Sequence, residues 1–229
     1  MRSRYALVST LFLVSGTTGL LYEVAFSKLL AYVFGATAYA VSTVLAAFMA
    51  GLAIGAHVGG RYASRARRPL AVYGALEVLV GVVSALSPLA LGLLTDAYVA
   101  LARAAPSSLA ALTAARAVLT AAVVVLPTMA MGATLPVLSR VVAGRGAGDD
   151  RRLSRLYAIN TAGGAMGALA SAYAILPLLG VRGTMMGAAM ANVTIGLVAI
   201  VVGSRARESG RAGVEEEVDL HEHAHVKER

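Results

Sequence analysis

The sequence predicts an all-α membrane protein of six transmembrane helices, and three observations carry that prediction. The 229 residues are 58% hydrophobic and only 14% charged, where a soluble domain carries about 25% charged residues. Apolar runs of 18 or more residues recur along the chain, each long enough to cross a hydrocarbon core of roughly 30 Å. The arginines gather in alternate connecting segments, as the positive-inside rule requires of a multi-pass chain. Mean hydropathy is +0.74. With no cysteine in the sequence, disulfide and thiolate chemistry are excluded.

The expected spans are residues 5–29, 37–59, 70–94, 109–138, 153–179 and 181–203, with a polar, disordered tail from 204 to 229. Arg2 and Arg4 precede the first span, but no small-residue cleavage site closes it, so it reads as a membrane helix and not a cleaved signal. On one side of the membrane fall Arg2, Arg4, Arg61, Arg65, Arg67, Arg68, Arg140, Arg145, Arg151, Arg152, Arg155, Arg205, Arg207 and Arg211. The other side holds Lys28, Arg103 and Arg182. Both termini are therefore expected in the cytoplasm. The net charge of +8 is accounted for by these loops, which meet lipid headgroups, and nucleic acid is not an expected partner. In the absence of tryptophan, tyrosines are expected to anchor the membrane interfaces.

Small residues mark the packing faces. In the second span Thr43, Ala47, Gly51, Gly55 and Gly59 recur every four residues, a stripe that lets another backbone approach closely. Gly163 and Gly167 repeat the device in the fifth span, and Gly183, Gly187 and Ala191 in the sixth. In the third, Gly74 and Gly81 flank Glu77 on one side, which turns that carboxyl toward protein. In the first, Gly16 and Gly19 lie on roughly the face of Glu23.

Glu23 and Glu77 are the candidate functional groups, because an ionisable side chain at membrane depth is costly unless it is paired or faces a cavity. At 1.5 Å per residue, Glu23 and Arg116 each lie about 10 Å in from the outer ends of their spans. A structural Glu23–Arg116 ion pair is expected. Glu77 lies about 10 Å in from the inner face, level with Asn160, with Asn192 nearer the midplane. Glu77, Asn160, Asn192 and Glu23 are thus the expected ligand-binding set, centred on a Glu77–Asn160 cluster. In the tail, His221 and His225 sit one helical turn apart but lack further ligands, and no metal is expected.

Two patterns point to transporter architecture. Gly60-Arg-Tyr-Ala-Ser-Arg65-Ala-Arg67-Arg68 resembles the cytoplasmic loop signature of the major facilitator superfamily, with Ser64 where that signature has an acid. Phe34-Gly-Ala-Thr37 and Met131-Gly-Ala-Thr134 fall at corresponding places of a three-plus-three repeat, the internal symmetry of half a facilitator.

Together with these, Gly19-Leu-Leu-Tyr-Glu23, Phe34-Gly-Ala-Thr-Ala-Tyr-Ala-Val-Ser-Thr43, Ala47-Phe-Met-Ala-Gly-Leu-Ala-Ile-Gly55, Met131-Gly-Ala-Thr-Leu-Pro136 and Leu156-Tyr-Ala-Ile-Asn-Thr-Ala-Gly-Gly164 carry a family likeness. Over roughly residues 5–203 the chain resembles the membrane portion of bacterial fused facilitator/spermidine-synthase-like proteins. The resemblance implies a multi-pass protein of the bacterial inner membrane that binds or moves a small cationic, polyamine-type metabolite. In that family the helices are commonly followed by an aminopropyltransferase-like domain. Beyond Val202 this sequence holds only a charged tail, without a strand, glycine-rich turn and helix to bind a nucleoside. Neither enzymatic activity nor a cofactor is expected. The alternatives are an accessory subunit of a larger membrane complex, and an anchor for a separate soluble aminopropyltransferase. Expected partners are the lipid bilayer and either further copies of the chain or other membrane subunits.

Overall fold

The computed structural model describes residues 2–34, 38–104, 109–142 and 149–227 and is helical throughout those stretches apart from the turn between the second and third helices. Helices α1 (Arg2–Phe34), α2 (Ala38–Ala63), α3 (Pro69–Ala104) and α4 (Leu109–Val142) are followed by α5 (Asp149–Ala170). A π-helical turn, Ser171–Ile175, joins α5 to α6 (Leu176–Lys227). A helix suits a chain this apolar, since it satisfies backbone N–H and C=O groups within its own segment at membrane depth.

Five stretches are long and apolar enough to cross a membrane: Tyr5–Ala31, Val41–Ala63, Pro69–Asp96, Ala121–Val142 and Asp150–Arg205. The expected six are thus five, because α5, the π turn and α6 run on as one stretch. At 56 residues that stretch measures about 84 Å along its axis, far beyond one crossing of roughly 30 Å. Gly180, the residue left between the fifth and sixth expected spans, is its one non-helical residue, at φ 66° and ψ 177°. That conformation is open to glycine and strained for any residue with a Cβ. α6 also continues past Ser204 to Lys227, where composition pointed to an unstructured tail; side chains beyond Arg205 lie outside the described residues.

Neighbouring residues fix the helix directions. Phe12 meets Tyr73, Ser15 faces Glu77 and Tyr22 faces Ser84, so α1 and α3 run parallel. Gly163 lies on Leu13 and Gly167 on Thr17, so α5 also runs parallel to α1. Beyond Gly180 the sense is opposite: Gly81 meets Ala189, Gly74 meets Gly196, and Gly203 meets Ala71. The chain therefore reverses between α5 and the body of α6.

Glycine sets the principal pairings, α2 on α4, α3 on α6 and α1 on α5. Gly51, Gly55 and Gly59 lie against Thr128, Met129 and Ala133 of α4, and Gly132 answers by lying on the backbone of Leu52. Of the expected stripes, the one in the sixth span is not used inside the protein. Gly187 has open space beside it and Gly183 meets only its own Leu179. Gly196 and Gly203 make the α6 contacts instead, because a stripe's spacing shows a small face and not what it packs on. Gly19 likewise faces open space, while Gly16 lies on Asn160.

Two apolar clusters fill the interior. One gathers Tyr22, Phe26, Leu30, Phe48, Val80 and Met185, and the other Phe12, Tyr73, Leu138, Leu156, Ile195 and Ala199. Large apolar side chains such as Leu45, Leu86, Leu93, Val118, Met190 and Leu197 stand exposed on the outside, as a lipid-facing surface requires. The arginines of the α2–α3 turn and of α5 lie at one end. Arg61, Arg65, Arg67 and Arg68 surround the α2–α3 turn, where Arg65 lies 5.5 Å from the Tyr62 ring. Tyr5 donates to the carbonyl of Arg152 at 3.3 Å, which brings the α5 arginines to the same end.

Candidate functional site

Most hydroxyls in this bundle are consumed within their own helix. Thr17 donates to the carbonyl of Leu13, Ser87 to Val83, Thr128 to Val124 and Thr184 to Gly180, all at 2.7–2.9 Å. Such back-bonding is how a Ser or Thr stays satisfied where no water is present. Ser9 and Ser171 depart from this pattern singly, and one layer departs from it as a group.

That layer lies between the two apolar clusters. Glu77 of α3 sits at its centre and is 1% exposed. Asn192 of α6, equally buried, donates through Nδ2 to Glu77 Oε2 at 2.5 Å. The flanking glycines create this contact: Gly74 against Gly196 and Gly81 against Ala189 bring the two backbones close enough for short polar side chains to meet. The hydroxyls of Ser15 on α1 and Tyr73 one turn before Glu77 face the carboxyl. Tyr22 of α1 faces Ser84. Yet Glu77 Oε1, Asn192 Oδ1, Tyr22 Oη, Tyr73 Oη and Ser84 Oγ are all buried without a well-formed hydrogen bond. A buried polar atom left unpaired costs about 1–3 kcal/mol, and here five are gathered between three helices. Charge adds to the demand, since no Lys, Arg or His among the described residues pairs with Glu77. The arrangement offers one carboxyl and several oxygens as acceptors, with room in its hydrogen bonding for a ligand that donates.

The sequence-derived set is only partly assembled. Glu77 and Asn192 meet, but Asn160 is not part of the cluster. It lies across α1, where its backbone and side-chain oxygens abut Gly16. The Glu77–Asn160 pairing is therefore replaced by Glu77–Asn192. Depth along a helix gives height and leaves the angle about the bundle open, and Asn160 has the right height on the wrong helix. Glu23 is half-buried, and Glu77 is not among the groups that act on it. Its expected partner Arg116 has a side chain outside the described residues, as do Gly35, Ala36 and Thr37 of the first repeat phrase and His221 and His225 of the tail. Among the described residues no three His, Asp or Glu gather as a metal site.

Tyrosine as a residue type was expected at the membrane interfaces, yet Tyr22 and Tyr73 are fully buried in the site, at 0% exposed. A signal for them was present. Tyr73, Glu77 and Ser84 recur at i, i+4 and i+11 on α3, and Ser15 and Tyr22 at i and i+7 on α1, which places each set on one helical face.

These features define a multi-pass, all-helical membrane protein with a buried polar layer around a single carboxyl. Compared with protein-family models, with curated proteins and with solved structures, the chain has no match.

Proposed function

We propose that this protein binds or translocates a small cationic metabolite of the polyamine type, with Glu77 as counter-ion to an amine. The observation that carries the reading is the group of five buried oxygens, Glu77 Oε1 among them, that lack a well-formed hydrogen bond. A primary ammonium has three N–H donors and no acceptor, which complements a carboxyl, an amide oxygen and hydroxyls. Intramembrane carboxyls facing a bundle interior mark substrate and ion paths. The resemblance to spermidine-synthase-like membrane domains names the amine class. On this reading the chain is not itself an enzyme and uses no cofactor.

Six crossings suit this role, with both termini in the cytoplasm and the bacterial inner membrane as the site. The reversal at Gly180 splits the 56-residue stretch into two helices of opposite sense. A three-plus-three inverted repeat is supported by the pairings themselves. Exchanging α1 with α4, α2 with α5 and α3 with α6 turns the α2–α4 pairing into α5–α1 and α3–α4 into α6–α1, and leaves α3–α6 unchanged. Glu77 and Asn192 thus meet on the pairing that such a symmetry maps onto itself, an interface between repeats of the kind that holds substrate in inverted-repeat transporters.

The test is equilibrium binding of spermidine to the purified protein in mild detergent. Binding that weakens about tenfold or more in Glu77→Gln supports the proposal, that being the scale of an interaction between a ligand cation and a buried carboxylate. Equal binding by the variant overturns it.

A second reading, an accessory or self-associating subunit, draws on the unused small face at Gly183, Gly187 and Ala191. Stoichiometric co-purification of another membrane chain, or of a soluble aminopropyltransferase on the Arg61–Arg68 turn, would favour it.

A further inference from the structure

A groove of about 470 Å³ opens between α3 and the start of the reversed part of α6, with Ala85, about two helical turns past Glu77, as its inner end. Its walls are apolar: Pro88, Leu89, Leu93, Met185 and Met186, with Leu89 and Leu93 more than half exposed. Asp96 and Arg182 also line it. Asp96 ends the apolar stretch of α3, and Arg182 stands two residues past the break at Gly180. Both charges therefore sit at the membrane boundary opposite the arginine-rich end. No ion pair joins them among the described residues.

The dimensions match one leaflet. From Asp96 back to Ala85, the far end of the α3 wall, is 11 residues, or about 16 Å, roughly half of a 30 Å hydrocarbon core. An acyl chain laid along Leu93, Leu89 and Ala85 would keep its headgroup at the height of Asp96 and Arg182. The guanidinium suits a phosphate, for which its planar fork of donors is shaped. A carboxylate beside it repels a purely anionic headgroup and attracts an ammonium.

We infer that this groove is a binding site for a phospholipid whose headgroup carries both a phosphate and a primary ammonium, phosphate on Arg182 and ammonium on Asp96. The groove shares no lining residue with the Glu77 layer, and the assignment stands whether or not that layer binds amines. Glycine at 92 leaves the groove floor open beside the headgroup position, with nothing within 4 Å of where a Cβ would lie.

The experiment is native mass spectrometry of the full chain released from detergent after titration with phosphatidylethanolamine, phosphatidylcholine or phosphatidylglycerol. The wild type is expected to retain phosphatidylethanolamine most strongly. Arg182→Gln should weaken that retention about fivefold, the effect of one interfacial charge on a lipid headgroup. Asp96→Asn should abolish the preference over phosphatidylcholine and phosphatidylglycerol. Leu89→Trp, which fills the acyl wall, should lower retention of all three lipids. Equal retention of the three by the wild type, or no change in both charge variants, would mean an unselective lipid annulus and overturn the assignment. Both charges are exposed, and monodisperse elution of each variant establishes that a loss of lipid is not a loss of fold.

Discussion

The α2–α4 and α3–α6 seams are built with the same device and hold different contents. Both bring backbones together over glycine: Gly55 on Met129 and Gly132 on Leu52 in the first, Gly74 on Gly196 in the second. The α2–α4 seam is dry. The buried hydroxyl of Thr128, which lies against Gly51, bonds back to Val124 and Val125 in its own helix. The α3–α6 seam uses the same close approach to press a carboxyl against an amide and leaves oxygens unpaired beside them. Close packing alone therefore explains the first seam and not the second. Glycine spacing marks where helices touch, and unpaired polar atoms mark where the contact serves a further purpose.

Substitutions order the two seams by expected effect. The largest should come from Gly55→Leu, whose side chain has nowhere to go but into the Met129 backbone. A loss of about 3 kcal/mol or more is expected, the upper range for overpacking, read by unfolding in mixed micelles. A small loss would mean that the seam yields, and the dry-seam description would fail. Next comes Asn192→Leu, which removes the hydrogen bond that Asn192 Nδ2 donates to Glu77 and should cost about 1–3 kcal/mol. Combining it with Glu77→Leu should recover part of that loss, because an apolar pair of similar size carries no stranded charge.

Thr128→Val should cost well under the Asn192 change, about 1 kcal/mol or less, since its bonds stay within one helix. If Thr128→Val and Asn192→Leu cost the same, the distinction between the seams collapses. Smallest of all is Gly187→Ala. With open space at its Cβ, it should be neutral or stabilise by up to about 1 kcal/mol, the helix-propensity gain of alanine over glycine. A clear loss there, seen alongside a shift in oligomer size, would instead assign that face to another chain.

Much of the bundle was legible beforehand. The Gly51–Gly55–Gly59 face and the Gly163–Gly167 face both pack on neighbouring helices, and Gly74 with Gly81 turned Glu77 inward as spacing implied. The site was legible only in part. Sequence names Asn192, but it is Asn160 that matches Glu77 in height, and composition points tyrosine to the interfaces. Each error has one source: a helix reports its own period and its own depth, and carries no record of which helix stands beside it.

Sequence by itself determined the class of the protein, the apolar stretches, the gathering of arginines and the faces on which small residues align. These follow from hydropathy and the 3.6-residue period, which are local properties of the chain. Only the tertiary structure decided that α2 meets α4 and α3 meets α6, and that Gly187 meets nothing. It alone placed Tyr22, Tyr73, Ser84 and Asn192 around one carboxyl. Partner choice depends on the summed fit of whole helix surfaces, and five unpaired oxygens become one site only when three helices are set side by side.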